Sequence, residues 1–217
     1  MGFFELLVQS MPLFLMGMRL TLELSFVSLA IAMVIGIVAS LMGMSSVPLF
    51  RAINRTFVAI IRGTPLLVQG YFIYFRLTGV LGIRMTAFTA GVIALSLNAG
   101  GYMSEIFRGG IQAVDPGQTE AARSLGLSKS QTTWRIVIPQ AIRICIPSVV
   151  NQWCITIKDT SIISVLGLAE LTKMGSQIIA RTFRSFEVWI MVGILYFIVI
   201  YLLTVLARIV ERKVSLD

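Results

Sequence analysis

Glu120-Ala121-Ala122-Arg123-Ser124-Leu125-Gly126, continuing to Ile136-Val137-Ile138-Pro139, is a polar, small-residue segment in the middle of a very apolar chain. Its signals are those of a helix, a turn and a second helix. Asp115 precedes Pro116, and Gln118 follows three residues after Asp115, the spacing of a capping box with proline at the first helical position. A helix is predicted from Pro116 to about Leu125, closed by Gly126 in the left-handed conformation. Ser128 with Gln131 restarts a helix, which Pro139 is expected to kink or break. Ala121 and Ala122 leave one face thin enough to slot into a partner's groove, where Glu120 and Arg123 could form charge-assisted contacts. An ordinary loop helix without a partner fits the same helical signals.

What surrounds that segment is a membrane protein. The 217 residues are 57% hydrophobic and only 13% charged, with a mean hydropathy of +0.89. A water-soluble domain of this size needs a more polar surface. Five apolar runs approach the roughly 20 residues that cross a bilayer as helix. They lie at about Leu13–Met42, Phe57–Leu77, Phe88–Phe107, Ile142–Leu168 and Phe186–Ile209. The first is long for one span and is expected to begin as an interfacial stretch. With Glu5 and no basic region before it, it does not read as a cleaved signal peptide. The fold class is therefore all-α, one membrane domain over 1–217 with five transmembrane helices and a short cytoplasmic helix. The two cysteines, Cys145 and Cys154, suggest no disulfide framework, and the chain has no histidine, the commonest metal ligand and acid-base group.

Orientation follows from the cations. Arg51, Arg55, Arg62, Arg108, Arg123, Lys129, Arg135, Arg143, Arg208, Arg212 and Lys213 fall on one side of the five spans. Arg76, Arg84, Lys158, Lys173, Arg181 and Arg184 fall on the other, with Arg19 inside the first segment. The positive-inside bias puts the larger set in the cytoplasm. The N-terminus is then outside, and the C-terminus and the Glu120 segment are inside. The net charge of +8 is thus explained by topology rather than by nucleic acid.

Glu120-Ala121-Ala122, Gly126 and Ile136-x-Ile138-Pro139 together resemble the EAA signature of permease subunits of bacterial ABC importers, with Ile138 at the usual leucine position. Ile61-Arg62-Gly63-Thr64-Pro65, Glu105-Ile106-Phe107-Arg108-Gly109-Gly110-Ile111, Asp115-Pro116-Gly117-Gln118 and Lys158-Asp159-Thr160-Ser161 are similar to the polar amino-acid uptake branch. Asn151-Gln152-Trp153 is similar to glutamine permeases. The resemblance covers nearly the whole chain. It implies the transmembrane domain of a type I ABC importer, with the coupling helix and EAA loop at about 116–139. It implies ATP-driven import of polar amino acids across the bacterial inner (cytoplasmic) membrane by a permease subunit that binds no cofactor itself. The chain has no Gly-Lys pair and hence no P-loop, so ATP and Mg belong to a separate cytoplasmic ATPase, in two copies, docking through Glu120, Ala121, Ala122, Arg123 and Gly126. Five spans without an internal repeat need a second half. The resemblance supplies it as a second permease chain, identical or paralogous, with a homodimer favoured. A periplasmic or lipid-anchored binding protein would deliver the amino acid.

Polar side chains inside spans are costly and default to function. Asn98, Tyr102 and Glu105 recur at spacings of four and three, one helical face. Gln152, Thr156 and Asp159 recur in the same way. Thr64 and Gln69 flank the Gly63-Thr64-Pro65 break, where unwound backbone can offer free hydrogen-bonding groups. Thr64, Gln69, Asn98, Tyr102, Gln152, Thr156 and Asp159 are the candidate substrate residues. Asp159 suits an ammonium group, and the Gln152 amide offers both donor and acceptor to another amide. That favours glutamine or a related polar amino acid, with an arginine, histidine or cystine importer of the same family as the alternative. Structural roles compete: Glu105 paired with Arg108, Arg19 with Glu23, Lys158 beside Asp159, and Asn98 and Tyr102 as interhelical hydrogen-bond glue. An ion-coupled secondary transporter would leave the capped helix without a task. A membrane-embedded enzyme would need a nucleophile-base pair or a metal spacing that the chain lacks.

Overall fold

The computed structural model describes residues 2–82 and 84–215, with side chains for all of these except 78, 81 and 210–215. Arg212 and Lys213, counted above among the cytoplasmic cations, lie outside the described side chains. The described residues form helices and no strand. Helix α1, Phe3–Met44, has 42 residues and is about 63 Å long at 1.5 Å per residue. It begins ten residues before the expected span and passes through Pro12 without ending, because proline removes one ladder bond but leaves the flanking turns intact. Helix α2 is Pro48–Gly63, and α3 is Leu66–Tyr71, continued by a π-helical turn Phe72–Leu77 and by α4, Thr78–Leu81. Helix α5 is Ala87–Gln112, α6 is Pro116–Ser124 and α7 is Lys129–Thr132. Helix α8, Ile138–Ile163, leads through a 3₁₀ turn at Ser164–Leu166 to α9, Leu171–Thr182, and α10, Ser185–Ser215.

The break expected at Gly63-Thr64-Pro65 forms: the second span is a pair of helices, α2 and Leu66–Leu77, bent by 105°, and α2 begins at Pro48, ahead of the expected start at Phe57. Thr64 is extended (φ −123°, ψ 144°), the conformation that a following proline imposes. Helix α1, α10 and this bent pair are the segments long and apolar enough to cross a membrane. Helices α5 and α8, at 26 residues each, have the length but carry polar residues, of which Ser96, Asn98, Ser104, Gln152, Thr156 and Thr160 are turned into the bundle.

Helix α1 and α5 form the spine. Leu24 meets Gly91, the Ser96 hydroxyl donates to the Ser28 carbonyl at 3.2 Å, and Gly36 meets Met103, so the two helices run parallel. Small residues let them approach. A Cβ on Gly36 would stand 2.6 Å from the Met103 Cβ, and one on Gly100 would stand 2.6 Å from the Ile35 Cγ2. Such contacts replace the hydrophobic drive that lipid does not supply. One apolar cluster joins Leu24, Leu95 and Ile163 with Leu66 and Ile73 of the bent pair. A second joins Leu6 and Phe14 of α1 to Leu171 and Ile178 of α9 and Val188 of α10.

Helix α9 is fastened at its start. Glu170 is fully buried and caps it, accepting from the Thr172 N–H at 3.0 Å and the Lys173 N–H at 2.7 Å. The Tyr196 hydroxyl donates to the same carboxylate at 2.9 Å. Burial pushes the Glu170 carboxyl above its ordinary range, and these donors pull against it. An acid before an apolar run is the one local signal of this cluster in the sequence.

Candidate functional site

The Glu120 segment folds as a short helix closed at both ends. The Asp115 carboxylate accepts from the Gly117 N–H at 2.8 Å. The expected capping box does not form: the Gln118 side chain instead accepts from Gln140 Nε2 at 3.3 Å, which ties α6 to the start of α8. At the other end Gly126 has φ +85°. Its N–H donates to the Arg123 carbonyl at 3.0 Å and the Leu127 N–H donates to the Ala122 carbonyl at 3.2 Å, a Schellman closure. Arg123 Nη1 reaches the Leu127 carbonyl at 2.6 Å, locking the same turn. Glu120, Ala121, Arg123 and Gly126 are exposed. Ala122 is not: it is buried, on a helix that packs against the turn after Ser128. The apolar tip that the sequence reading missed is Leu125, 82% exposed.

The second box does form. Ser128 Oγ accepts from the Gln131 N–H at 3.2 Å, and Gln131 Oε1 accepts from the Ser128 N–H at 2.8 Å. Pro139 does not break the helix that follows. The chain passes through a π-helical turn, Thr133–Val137, in which the Ile138 N–H donates to the Thr133 carbonyl, and continues into α8. The wider turn absorbs the donor that Pro139 lacks.

Three candidate substrate residues meet at the break in the second span. Pro65 has no N–H, so the Ile61 carbonyl four residues earlier loses its helical donor. Gln69 Nε2 replaces it at 2.9 Å and also reaches the Thr64 carbonyl at 3.1 Å and the Thr64 hydroxyl at 2.9 Å. Two amide hydrogens thus serve three acceptors. Gln69 Oε1 accepts from Asn98 Nδ2 at 3.3 Å, joining the break to α5. One and two turns further along α5, the Arg62 guanidinium lies 5.3 Å from the Tyr102 ring centroid and 4.0 Å from Glu105. The Asn98–Tyr102–Glu105 face therefore runs along the bent pair, and the break offers fewer free backbone groups than unwinding suggested. Glu105 pairs with Arg108 at 2.6 Å, and Arg19 with Glu23 at 2.7 Å, as structural ion pairs.

The α8 residues stand apart from this cluster. Gln152 and Thr156 are buried and turn to one another, the Thr156 hydroxyl donating to the Gln152 carbonyl at 2.9 Å. Asp159 is half-buried, Lys158 is exposed, and no ion pair joins them among the described residues. No hydrogen bond connects Gln152, Thr156 or Asp159 to Thr64, Gln69, Asn98 or Tyr102. An apolar cavity of about 860 Å³ between α1, α5, α8 and α10 is lined by none of these seven residues. Within one chain the polar faces thus do not close around a ligand.

Long apolar helices, a polar face set against a broken helix and a capped helix projecting from one end together define a membrane-spanning transport subunit. The family model for the binding-protein-dependent transport system inner membrane component matches residues 32–216. The chain belongs to that family of multi-pass ABC importer permeases. It is 38% identical over 208 residues to the glutamine transport system permease protein GlnP of Escherichia coli (strain K12), covering 95% of both chains. It is 36% identical over 212 residues to the arginine transport system permease protein ArtQ of Bacillus subtilis (strain 168), covering 98% of this chain and 97% of that one. A crystal structure of an amino acid ABC transporter with histidines superposes with a TM-score of 0.92 at 39% identity, over 98% of this chain and 99% of the other. The MetNI methionine ABC transporter, 20% identical with a TM-score of 0.80 over 94% of this chain and 97% of that one, shares the fold.

Proposed function

We propose that the chain is the translocation-pathway subunit of an ATP-driven importer of polar amino acids, with glutamine or a close relative as cargo. The observation that carries this is full-length likeness to a glutamine permease with an amide, Gln152, on the polar face of α8. The whole chain, 1–217, acts as one transmembrane domain, with the N-terminus outside and the C-terminus in the cytoplasm. Helix α6 and the EAA loop, about 116–139, are the coupling element. Each α6 seats in a groove of one of two cytoplasmic ATPase subunits, with Leu125 as its apolar tip and Glu120 and Arg123 beside it. ATP and Mg are held there, not on this chain.

A second, identical permease chain completes the pathway. Thr64 and Tyr102 are exposed and Gln69 is only half-buried, so the polar faces of two copies can meet across a two-fold axis. Thr64, Gln69, Asn98, Tyr102, Gln152, Thr156 and Asp159 then line the passage. When the ATPase subunits close, α6 transmits the motion as a rigid lever, and the cavity turns from inward-facing to outward-facing to receive the amino acid from its binding protein. Reconstitution with the ATPase and binding protein, with competition among glutamine, glutamate, arginine, histidine and cystine, tests the cargo. Glutamine uptake that survives ATP depletion with ion gradients intact would point to a secondary transporter and overturn the mechanism.

A further inference from the structure

We propose that α2 and the last turns of α5 form a binding site for the phosphate-bearing headgroup of an anionic phospholipid. A cleft of about 540 Å³ lies there, lined by Arg51, Asn54 and Arg55 of α2 and by Glu105, Arg108 and Gln112 of α5, with Gly43 of α1 at its edge. Glu105 is taken up by Arg108 at 2.6 Å, and Arg108 also donates to Gln112 Oε1 at 2.8 Å. Arg62 approaches Glu105 at 4.0 Å from beside the cleft. The Arg51 and Arg55 guanidiniums have no ion-pair or hydrogen-bonding partner among the described residues. Three guanidiniums against one carboxylate leave the cleft two positive charges in excess. A phosphate between Arg51 and Arg55 answers that excess with charge-assisted hydrogen bonds.

The walls are fixed. Asn54 is buried and accepts from the Ser104 hydroxyl at 3.2 Å. It sits where Gly43 has no side chain, since a Cβ there would stand 2.5 Å from Asn54 Nδ2. The lipid origin of the phosphate follows from the rest of α2. Arg51, Arg55 and Arg62 recur along one edge, while Leu49, Ile53 and Ile60 on another side are 64%, 46% and 57% exposed. A helix with a basic edge opposite an apolar face lies at headgroup depth, its apolar face toward the acyl region and its arginines at the level of the phosphates. The location in the inner leaflet rests on the orientation proposed above, but the binding itself does not.

The test uses the purified, delipidated full chain in detergent, titrated with dioctanoyl phosphatidylglycerol, dioctanoyl phosphatidylcholine and inorganic phosphate. Saturable binding of the phosphatidylglycerol is expected, with the other two ligands much weaker. R51Q/R55Q should weaken it about 25-fold, near fivefold per arginine. R51K/R55K should recover most of the affinity, and R143Q/R208Q, with the same charge loss elsewhere, should leave it unchanged. Equal affinity for the phosphatidylcholine, or wild-type affinity in a monodisperse R51Q/R55Q, overturns the site. Inorganic phosphate binding as tightly as the lipid overturns the lipid source. Retained lipid affinity with lost co-purification of the ATPase would make the two arginines a protein contact and overturn the proposal. Failure of the transport reading would appear only in the uptake assay.

Discussion

Replacing Gln69 with leucine should unfasten the bent span while leaving the helices on either side intact. Leucine keeps roughly the volume but removes both amide hydrogens and the acceptor for Asn98. The Ile61 carbonyl then has no donor, because Pro65 cannot supply one, and a carbonyl left without a partner away from water costs about 1–3 kcal/mol. Losing the Asn98 contact adds about 1 kcal/mol. A total near 2–4 kcal/mol corresponds to a fall in Tm of roughly 4–16 °C for a chain of this size. Thermal unfolding of wild type, Gln69→Leu and Gln69→Glu in the same nanodiscs measures it. The glutamate retains oxygens for Asn98 but no donors, so it should recover about half of the loss at most. A Gln69→Leu Tm within 1 °C of wild type would show that water or lipid satisfies the Ile61 carbonyl equally well, and the bridging role would be refuted.

Gly126→Asp should cost only about 1 kcal/mol of folding stability, from the left-handed backbone, because nothing lies within 4 Å of a Cβ built there. Uptake should nevertheless fall steeply while membrane insertion persists, and normal uptake would remove the docking assignment. Gly100→Val drives a side chain into Ile35 and should destabilise the α1–α5 pair by about 1–3 kcal/mol, read as a lowered Tm. Glu170→Ala removes the cap of α9 and one of the Tyr196 hydroxyl's partners, leaving it Thr172 Oγ1 at 3.2 Å, with an expected loss of about 1–2 kcal/mol, partly restored by Glu170→Gln. Because burial raises the Glu170 carboxyl, the native chain holds that proton to higher pH than the unfolded one. Its contribution is full below the unfolded pKa and fades as pH rises through the folded one, so Glu170→Gln should flatten the pH slope of stability, and an identical slope would exclude this origin. Gln152→Glu should shift competition in the uptake assay toward cationic amino acids, and unchanged kinetics across the panel would detach Gln152 from selectivity.

The long helices and the Glu120 segment were legible because their signals are local. Apolar run length reports a span. Asp115, Pro116, Gly126, Ser128 and Gln131 act within four residues of themselves, and so α6 ends where its sequence says it should. Even there, Gln118 escaped prediction, since Gln140, twenty-two positions away, competes for its side chain. The break in the second span was legible in Gly63-Thr64-Pro65, but its 105° bend was not, since hydropathy runs smoothly across Thr64-Pro65.

The resemblance of its motifs supplied the permease family, and composition and helix-end chemistry determined an all-α membrane protein with one capped, projecting helix. These depend on free energies that each residue carries into any fold, such as transfer from water or a left-handed backbone. Tertiary structure alone decided how the polar residues are used. It turned Gln69 into the substitute donor for Pro65 and set Asn98 against it. It left Gln152 and Thr156 bonded within their own helix, and buried Ala122 while exposing Leu125. Hydrogen bonds and close packing depend on distances between residues far apart in the chain, and no local pattern encodes those distances.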